Sequence, residues 1–209
     1  MKFESQSASP EIELEQLLAA AALFTRNNSA PAPLESSENF VPALVGEEAP
    51  MANDSIAGAA VIYRIEFERK YDQNIGRVWS AVSNESELTE WMKYPVTLDP
   101  RVGGAIRVDF APDDPLEGII CSFDPPRQLA FSWGDSLVKW ELEADANSTK
   151  VRFSHIGVRP ELVVGLGAGW HAFLDQLEDY LTGSASRPDR YVDLTERYHA
   201  AFRPLLSRR

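Results

Sequence analysis

The chain has 209 residues, 44% of them hydrophobic and 25% charged, with a formal net charge of −12. That length allows one domain with extensions or two small ones. The acidic balance argues against nucleic acid as a partner, because neutralising phosphates needs clustered Lys and Arg. With Cys121 as its single cysteine the chain can form no internal disulfide.

Residues 1–60 hold two basic and nine acidic residues. Lys2 is followed by Glu4, Glu11, Glu13 and Glu15, which is the wrong pattern for a signal peptide. The run Leu17–Phe24 is too short to span a bilayer. These features predict a cytoplasmic protein with no membrane insertion. Ser9-Pro10-Glu11 reads as an N-cap, a first-turn proline and an acid, and Ile12, Leu14, Leu17, Leu18, Ala21 and Phe24 follow one helical face. A helix is therefore expected over 10–26. Residues 27–60 are rich in Pro, Ser, Ala and Glu without periodicity, and read as a disordered linker.

From Val61 the pattern changes. Tyr63, Ile65 and Phe67 alternate with Arg64, Glu66 and Glu68, a strand with one wet face. Residues 74–82 read as a short helix. Asn84-Glu85-Ser86-Glu87 resembles a capping box that starts a second helix ending near Trp91. Five further alternating segments follow a short strand at 96–98. They carry Ile106, Val108 and Phe110; Ile119, Cys121 and Phe123; Leu129, Phe131 and Trp133; Val138, Trp140 and Leu142; and Val151, Phe153 and His155. Turn residues separate them at hairpin spacing, so sequential strands should be antiparallel neighbours. A long helix closes the pattern, its stripe being Leu162, Leu166, Trp170, Phe173, Leu177 and Leu181. Gly165, Gly167 and Gly169 lie in its first half. Each glycine costs about 1 kcal/mol of helix stability relative to alanine, so the three suggest a bend or a surface kept open. Residues 184–209 form a basic tail. Asp193-Leu194-Thr195-Glu196 begins a short helix there that should stop at Pro204.

The order predicts an α+β fold in which a curved antiparallel sheet wraps around a long C-terminal helix. It resembles the START-like (SRPBCC) helix-grip superfamily, which includes polyketide cyclases. Within it, the motifs resemble the domain named for the activator of the heat-shock-protein-90 ATPase. The matching pieces are Val78-Trp79-Ser80-Ala81-Val82, Leu88 with Trp91, Arg101-Val102-Gly103-Gly104, Gly118 with Asp124-Pro125-Pro126-Arg127-Gln128-Leu129, Phe131-Ser132-Trp133, and Gly169-Trp170 with Leu174 and Leu177. The resemblance covers about 61–182, within a domain expected over 61–183. It implies either a carrier of apolar small molecules or an interaction module that contacts a heat-shock chaperone. The eukaryotic co-chaperone members carry a separate folded domain that drives ATPase stimulation, and residues 1–60 are too short to be it.

On this reading the ligand-binding candidates are Tyr63, Trp91, Phe110, Phe131, Trp133, Trp140, Phe153, His155, Leu166 and Trp170. Each aromatic either fills the core or lines a cavity between helix and sheet. His155 is either a hydrogen-bonded core residue or, with Tyr63, the polar handle of that cavity. His171 is placed on the surface near the cavity mouth, and Cys121 is a buried, unreactive thiol. No Gly-x-Ser-x-Gly elbow, Walker loop or dinucleotide fingerprint occurs, and the histidines lack metal-ligand spacing. The expected protein is non-enzymatic, with no cofactor and no metal. A cyclase-like enzyme using His155 is the remaining alternative.

Overall fold

The computed structural model describes residues 43–48, 61–111, 115–187 and 190–206, with side chains from residue 62 onward except at 204 and 205. The expected helix over 10–26, and the linker apart from 43–48, lie outside these residues.

Eight strands form one antiparallel sheet. They are β1 (Ala43–Glu48), β2 (Val61–Tyr71), β3 (Val96–Leu98), β4 (Ala105–Val108), β5 (Leu116–Asp124), β6 (Gln128–Trp133), β7 (Ser136–Asp145) and β8 (Ser148–Val158). Their order is β1-β2-β8-β7-β6-β5-β4-β3. Every consecutive pair from β3 onward is a hairpin, as the short turns require. The first and last long strands, β2 and β8, meet at Ile65↔His155 and Phe67↔Phe153. Between β2 and β3 stand α1 (Ile75–Ser83) and α2 (Glu85–Met92). After β8 comes a 3₁₀ turn, Pro160–Leu162, then α3 (Val163–Thr182) and α4 (Tyr191–Leu206). None of the helices among the described residues is long and apolar enough to cross a membrane.

Two segments depart from the sequence reading. Ala43–Glu48, read as linker, pairs along the otherwise open edge of β2 from Ala43↔Glu66 to Glu48↔Val61. Edge pairing uses backbone groups, so it leaves no side-chain period to detect. On β5 the expected inward set was Ile119, Cys121 and Phe123. A register shift between Ile120 and Ser122 changes the phase. Ile120 is fully buried in the main core instead, and Phe123 still packs against that core on the far side of the bulge.

The concave face collects Ile65 and Phe67, Val138 and Trp140, and Val151 and Phe153, all at most 2% exposed, against Trp170, Leu174 and Leu177 of α3. On the convex face, Arg152 pairs with Glu68 at 3.0 Å and Lys139 with Glu141 at 2.8 Å. That face is not wet throughout, however, since Ala130, Leu137 and Ile156 are buried on it.

Asn84 caps α2 by accepting from the amides of Ser86 and Glu87. The other half of the expected box does not form. Glu87 turns away and accepts from Ser80 and Arg77 of α1 and from Tyr180 of α3 at 3.0 Å. One carboxylate thereby ties three helices together.

The basic tail carries a longer helix than the short one expected. Its helix runs 16 residues, through Pro204. Leu194, Tyr198 and Phe202 form a stripe at i, i+4 and i+8, each at most 2% exposed, against the back of α3. His171, expected on the surface, is buried because α4 covers it. Its ring lies against Phe67 and its Nδ1 is 2.9 Å from the Tyr198 hydroxyl.

Candidate functional site

Where α3 crosses the ends of β4, β5 and β6, helix and sheet do not close. They leave a cleft of about 340 Å³, open on one side. Phe110, just beyond β4, and Trp133, the last residue of β6, supply the sheet wall, and Trp170 and Phe173 supply the helix wall. The four rings form a circuit. Phe110 to Trp133 is 5.7 Å between centroids, Trp133 to Trp170 4.9 Å, Trp170 to Phe173 5.7 Å and Phe173 to Phe110 6.3 Å. Tilted and edge-on packing at these distances is favourable for aromatic pairs. Pro115, Leu116 and Leu166 fill the gaps, and Gly165 and Gly169 complete the helical lip.

The three helical glycines divide by function. A Cβ on Gly167 would stand 2.7 Å from the Tyr198 ring, so this glycine seats α4. A Cβ on Gly165 would meet only the Tyr191 hydroxyl at 3.4 Å, and one on Gly169 only the Tyr191 ring at 3.9 Å. Both are ordinary contacts, so packing among the described residues demands glycine at neither position. α3 is helical without interruption from Val163 to Thr182.

Behind the rings lies a polar chain. The Trp170 indole N–H donates to His155 Nδ1 at 2.9 Å. An indole nitrogen can only donate, so Nδ1 carries no proton and the neutral ring holds its hydrogen on Nε2. Nε2 therefore donates to Ser136 Oγ at 2.7 Å, and Ser136 donates to the Trp133 carbonyl at 2.6 Å. His155 is fully buried, and burial lowers its pKa from 6.5 to about 3. A serine and a histidine within hydrogen-bond reach could suggest a nucleophile and its base. This tautomer opposes that role, because the nitrogen facing Ser136 already bears the proton. The chain fixes Trp133 and Trp170 in place instead.

Of the residues expected at a ligand site, Phe110, Trp133, Leu166 and Trp170 line the cleft. Trp91, Phe131, Trp140 and Phe153 are at most 4% exposed in the core, with the Trp91 N–H satisfied by the Ala81 carbonyl at 2.8 Å. Tyr63 packs against the core without lining the cleft, and His155 sits behind the wall. Phe173, Pro115, Leu116, Gly165 and Gly169 were not among the expected site residues. Phe173 and the glycines were visible in the helical stripe, but Pro115 and Leu116 carry no pattern of their own. Cys121 is buried, and burial pushes its thiol pKa up. Among the described residues no group of His, Cys, Asp and Glu is placed to hold a metal.

A second cluster lies where the loop at 183–187, and Arg190, meet α3. Asp175 gathers Arg69 of β2 at 4.0 Å, Arg187 at 3.6 Å and Arg190 at 3.8 Å. Arg187 also reaches Glu178 at 2.6 Å and Asp179 at 3.0 Å. Burial raises the Asp175 pKa against the pull of these guanidiniums. Burial, and then the charges of Arg69, Arg197, Arg190 and Arg187, lower that of His171 to about 3. The cluster locks the loop and the start of α4 to the helix.

The family described as Activator of Hsp90 ATPase homolog 1-like protein matches residues 72–182. No curated protein matches the chain in sequence. Among solved structures the chain is similar to CalU16 from Micromonospora echinospora, with a TM-score of 0.64 at 23% identity, over 81% of this chain and 99% of that one. It is similar to DynU16, a protein of the dynemicin biosynthetic locus, with a TM-score of 0.54 at 26% identity, over 60% of this chain and 50% of that one. It also resembles the Aha1 dimer from Colwellia psychrerythraea, with a TM-score of 0.52 at 19% identity, over 56% of this chain and 95% of that one.

Proposed function

The chain belongs to the Activator of Hsp90 ATPase homolog 1-like family, with the START-like helix-grip fold, and on that premise we propose that it binds a planar, largely apolar small molecule in the cleft without transforming it. The observation that carries this reading is the open apolar cleft whose helical lip is two glycines. Alanine at either position would fit and would favour the helix by about 1 kcal/mol. A stability cost kept at a concave apolar surface is the usual mark of a site retained for use. The volume, about 340 Å³, suits a system of a few fused rings, and the driving term is apolar burial at roughly 25 cal/mol per Å². Among the described residues the lining is aromatic, aliphatic, proline and glycine, which suits an apolar ligand. The cyclase-like alternative draws on the resemblance to the START-like superfamily, which includes polyketide cyclases.

A second reading, an interaction module for a heat-shock chaperone, draws on the family description and on the charged convex face. Arg152 with Glu68 and Lys139 with Glu141 pair charges within that face, which favours the cleft reading. The test is ligand-observed NMR with naphthalene as probe, together with native mass spectrometry of freshly purified protein. Binding that Gly169→Leu abolishes without lowering Tm supports the proposal. No binding by the wild type, and no co-purifying small molecule, overturns it.

A further inference from the structure

We infer that the cleft takes ligands built as a planar ring head with a linear apolar tail, and that Gly165 keeps the tail's path open. The inference rests on the cleft being a binding site, and adds the shape and direction of what it binds.

Three observations set that direction. First, the two ends of the cleft differ in chemistry. Its lining on α3 runs from Gly165 to Phe173, about 12 Å of helix at 1.5 Å per residue. The circuit of Phe110, Trp133, Trp170 and Phe173 holds the Phe173 end, whereas Gly165 and Leu166 line the end toward the start of α3. Flat rings stack well on the first surface. A run of methylenes needs only the apolar contact that the second gives. Second, the ring end is shut. Phe173 is backed by Trp91 at 6.3 Å and by Tyr94 at 6.2 Å between centroids, and Tyr94 also stands 4.9 Å from Phe110. Trp91 is buried, so a ligand longer than the circuit must extend the other way. Third, that other way continues as apolar surface. Leu162 lies one turn before Leu166 on the same stripe and is 41% exposed. A tail leaving over Gly165 would cover it. Gly165 itself lines the cleft, so a side chain there would narrow the path.

The test compares naphthalene with 2-butylnaphthalene by NMR titration of the wild type and of Gly165→Leu. A methylene gains about 2- to 4-fold in affinity as its burial goes from half to complete. The butyl probe should therefore bind the wild type at least about 10-fold tighter, and Gly165→Leu should cut that advantage to about threefold or less. Intermolecular NOEs on the wild type read the direction independently of any variant's stability. Ring protons should meet Trp133 and Phe173, and the chain end should meet Leu166 and Leu162. A wild-type advantage below about threefold, an advantage that Gly165→Leu leaves intact without loss of Tm, or a chain end that meets Phe173 in place of the two leucines overturns the tail's course while the cleft stands. If neither probe binds the wild type, the cleft reading itself fails and this inference falls with it.

Discussion

Gly165→Ala and Gly167→Ala should move stability in opposite directions, although the two substitutions are chemically identical and two residues apart on one helix. Alanine favours a helix over glycine by about 1 kcal/mol. At Gly165 the new Cβ meets only the Tyr191 hydroxyl at 3.4 Å, so most of that gain should survive. For a chain of this size it corresponds to a Tm rise of about 2–4 °C. At Gly167 the new Cβ falls 2.7 and 2.8 Å from two carbons of the Tyr198 ring. Carbon atoms pack best at about 3.5–4.0 Å, so the ring must retreat by about 1 Å. Tyr198 is 1% exposed, bonded to His171 at 2.9 Å and packed on Phe202 with centroids 5.2 Å apart. Overpacking of this kind costs about 1–3 kcal/mol, and a lost hydrogen bond adds about 1. The net loss should be about 1–3 kcal/mol, with α4 loosened. Thermal unfolding followed by circular dichroism reads the sign. Trypsin digestion at Arg197 reads whether α4 has come away. A Gly167→Ala protein as stable as Gly165→Ala, with its tail equally protected, would refute the assignment of Gly167 to the α4 seat.

Acidification should destabilise the fold well above the carboxylate range. His155 and His171 are held to about 3 by burial, whereas in the unfolded chain they take up protons near 6.5. Between these values the unfolded state binds more protons, so stability falls as pH drops, by up to about 1.4 kcal/mol per pH unit for each histidine. Urea titrations at pH 7, 6 and 5 measure this, His171→Gln should remove one proton from the slope, and a flat profile would show that the rings are not neutral in the fold. Trp170→Phe removes the only indole donor to His155 Nδ1 and should cost at least about 1–3 kcal/mol for the unpaired buried nitrogen; ¹⁵N NMR of the wild type should show the hydrogen on Nε2. Burial raises the pKa of Glu87, but hydrogen bonds from Ser80, Arg77 and Tyr180 outweigh it and hold it below the ordinary carboxylate value of 4.5. Its contribution is therefore present above that value and lost as pH falls through the lowered pKa. Glu87→Gln should destabilise the protein at neutral pH, and the gap from wild type should close in acid; a gap unchanged at pH 3 would show that charge plays no part.

Alternation along a strand and a 3.6-residue stripe along a helix are local consequences of burying one face. Ile65 with Phe67, Trp140 with Leu142, and the Leu166–Leu181 stripe were therefore legible from the sequence alone, and with them the α+β order and the capping by Asn84. So were four of the cleft residues, because Phe110, Trp133, Leu166 and Trp170 carry the same inward phase as the core. That shared phase is also why the sequence could not separate cleft from core. Trp140 and Trp133 differ only in whether a neighbouring element closes over them, and closure depends on where α3 crosses the sheet. The bulge on β5, the edge pairing of β1 and the two different uses of Gly165 and Gly167 depend on partners distant in the chain. So does the fate of His155, whose tautomer follows from a tryptophan on another element. Local patterning decided most of what the concave face buries, and tertiary packing decided the rest and what that burial leaves open.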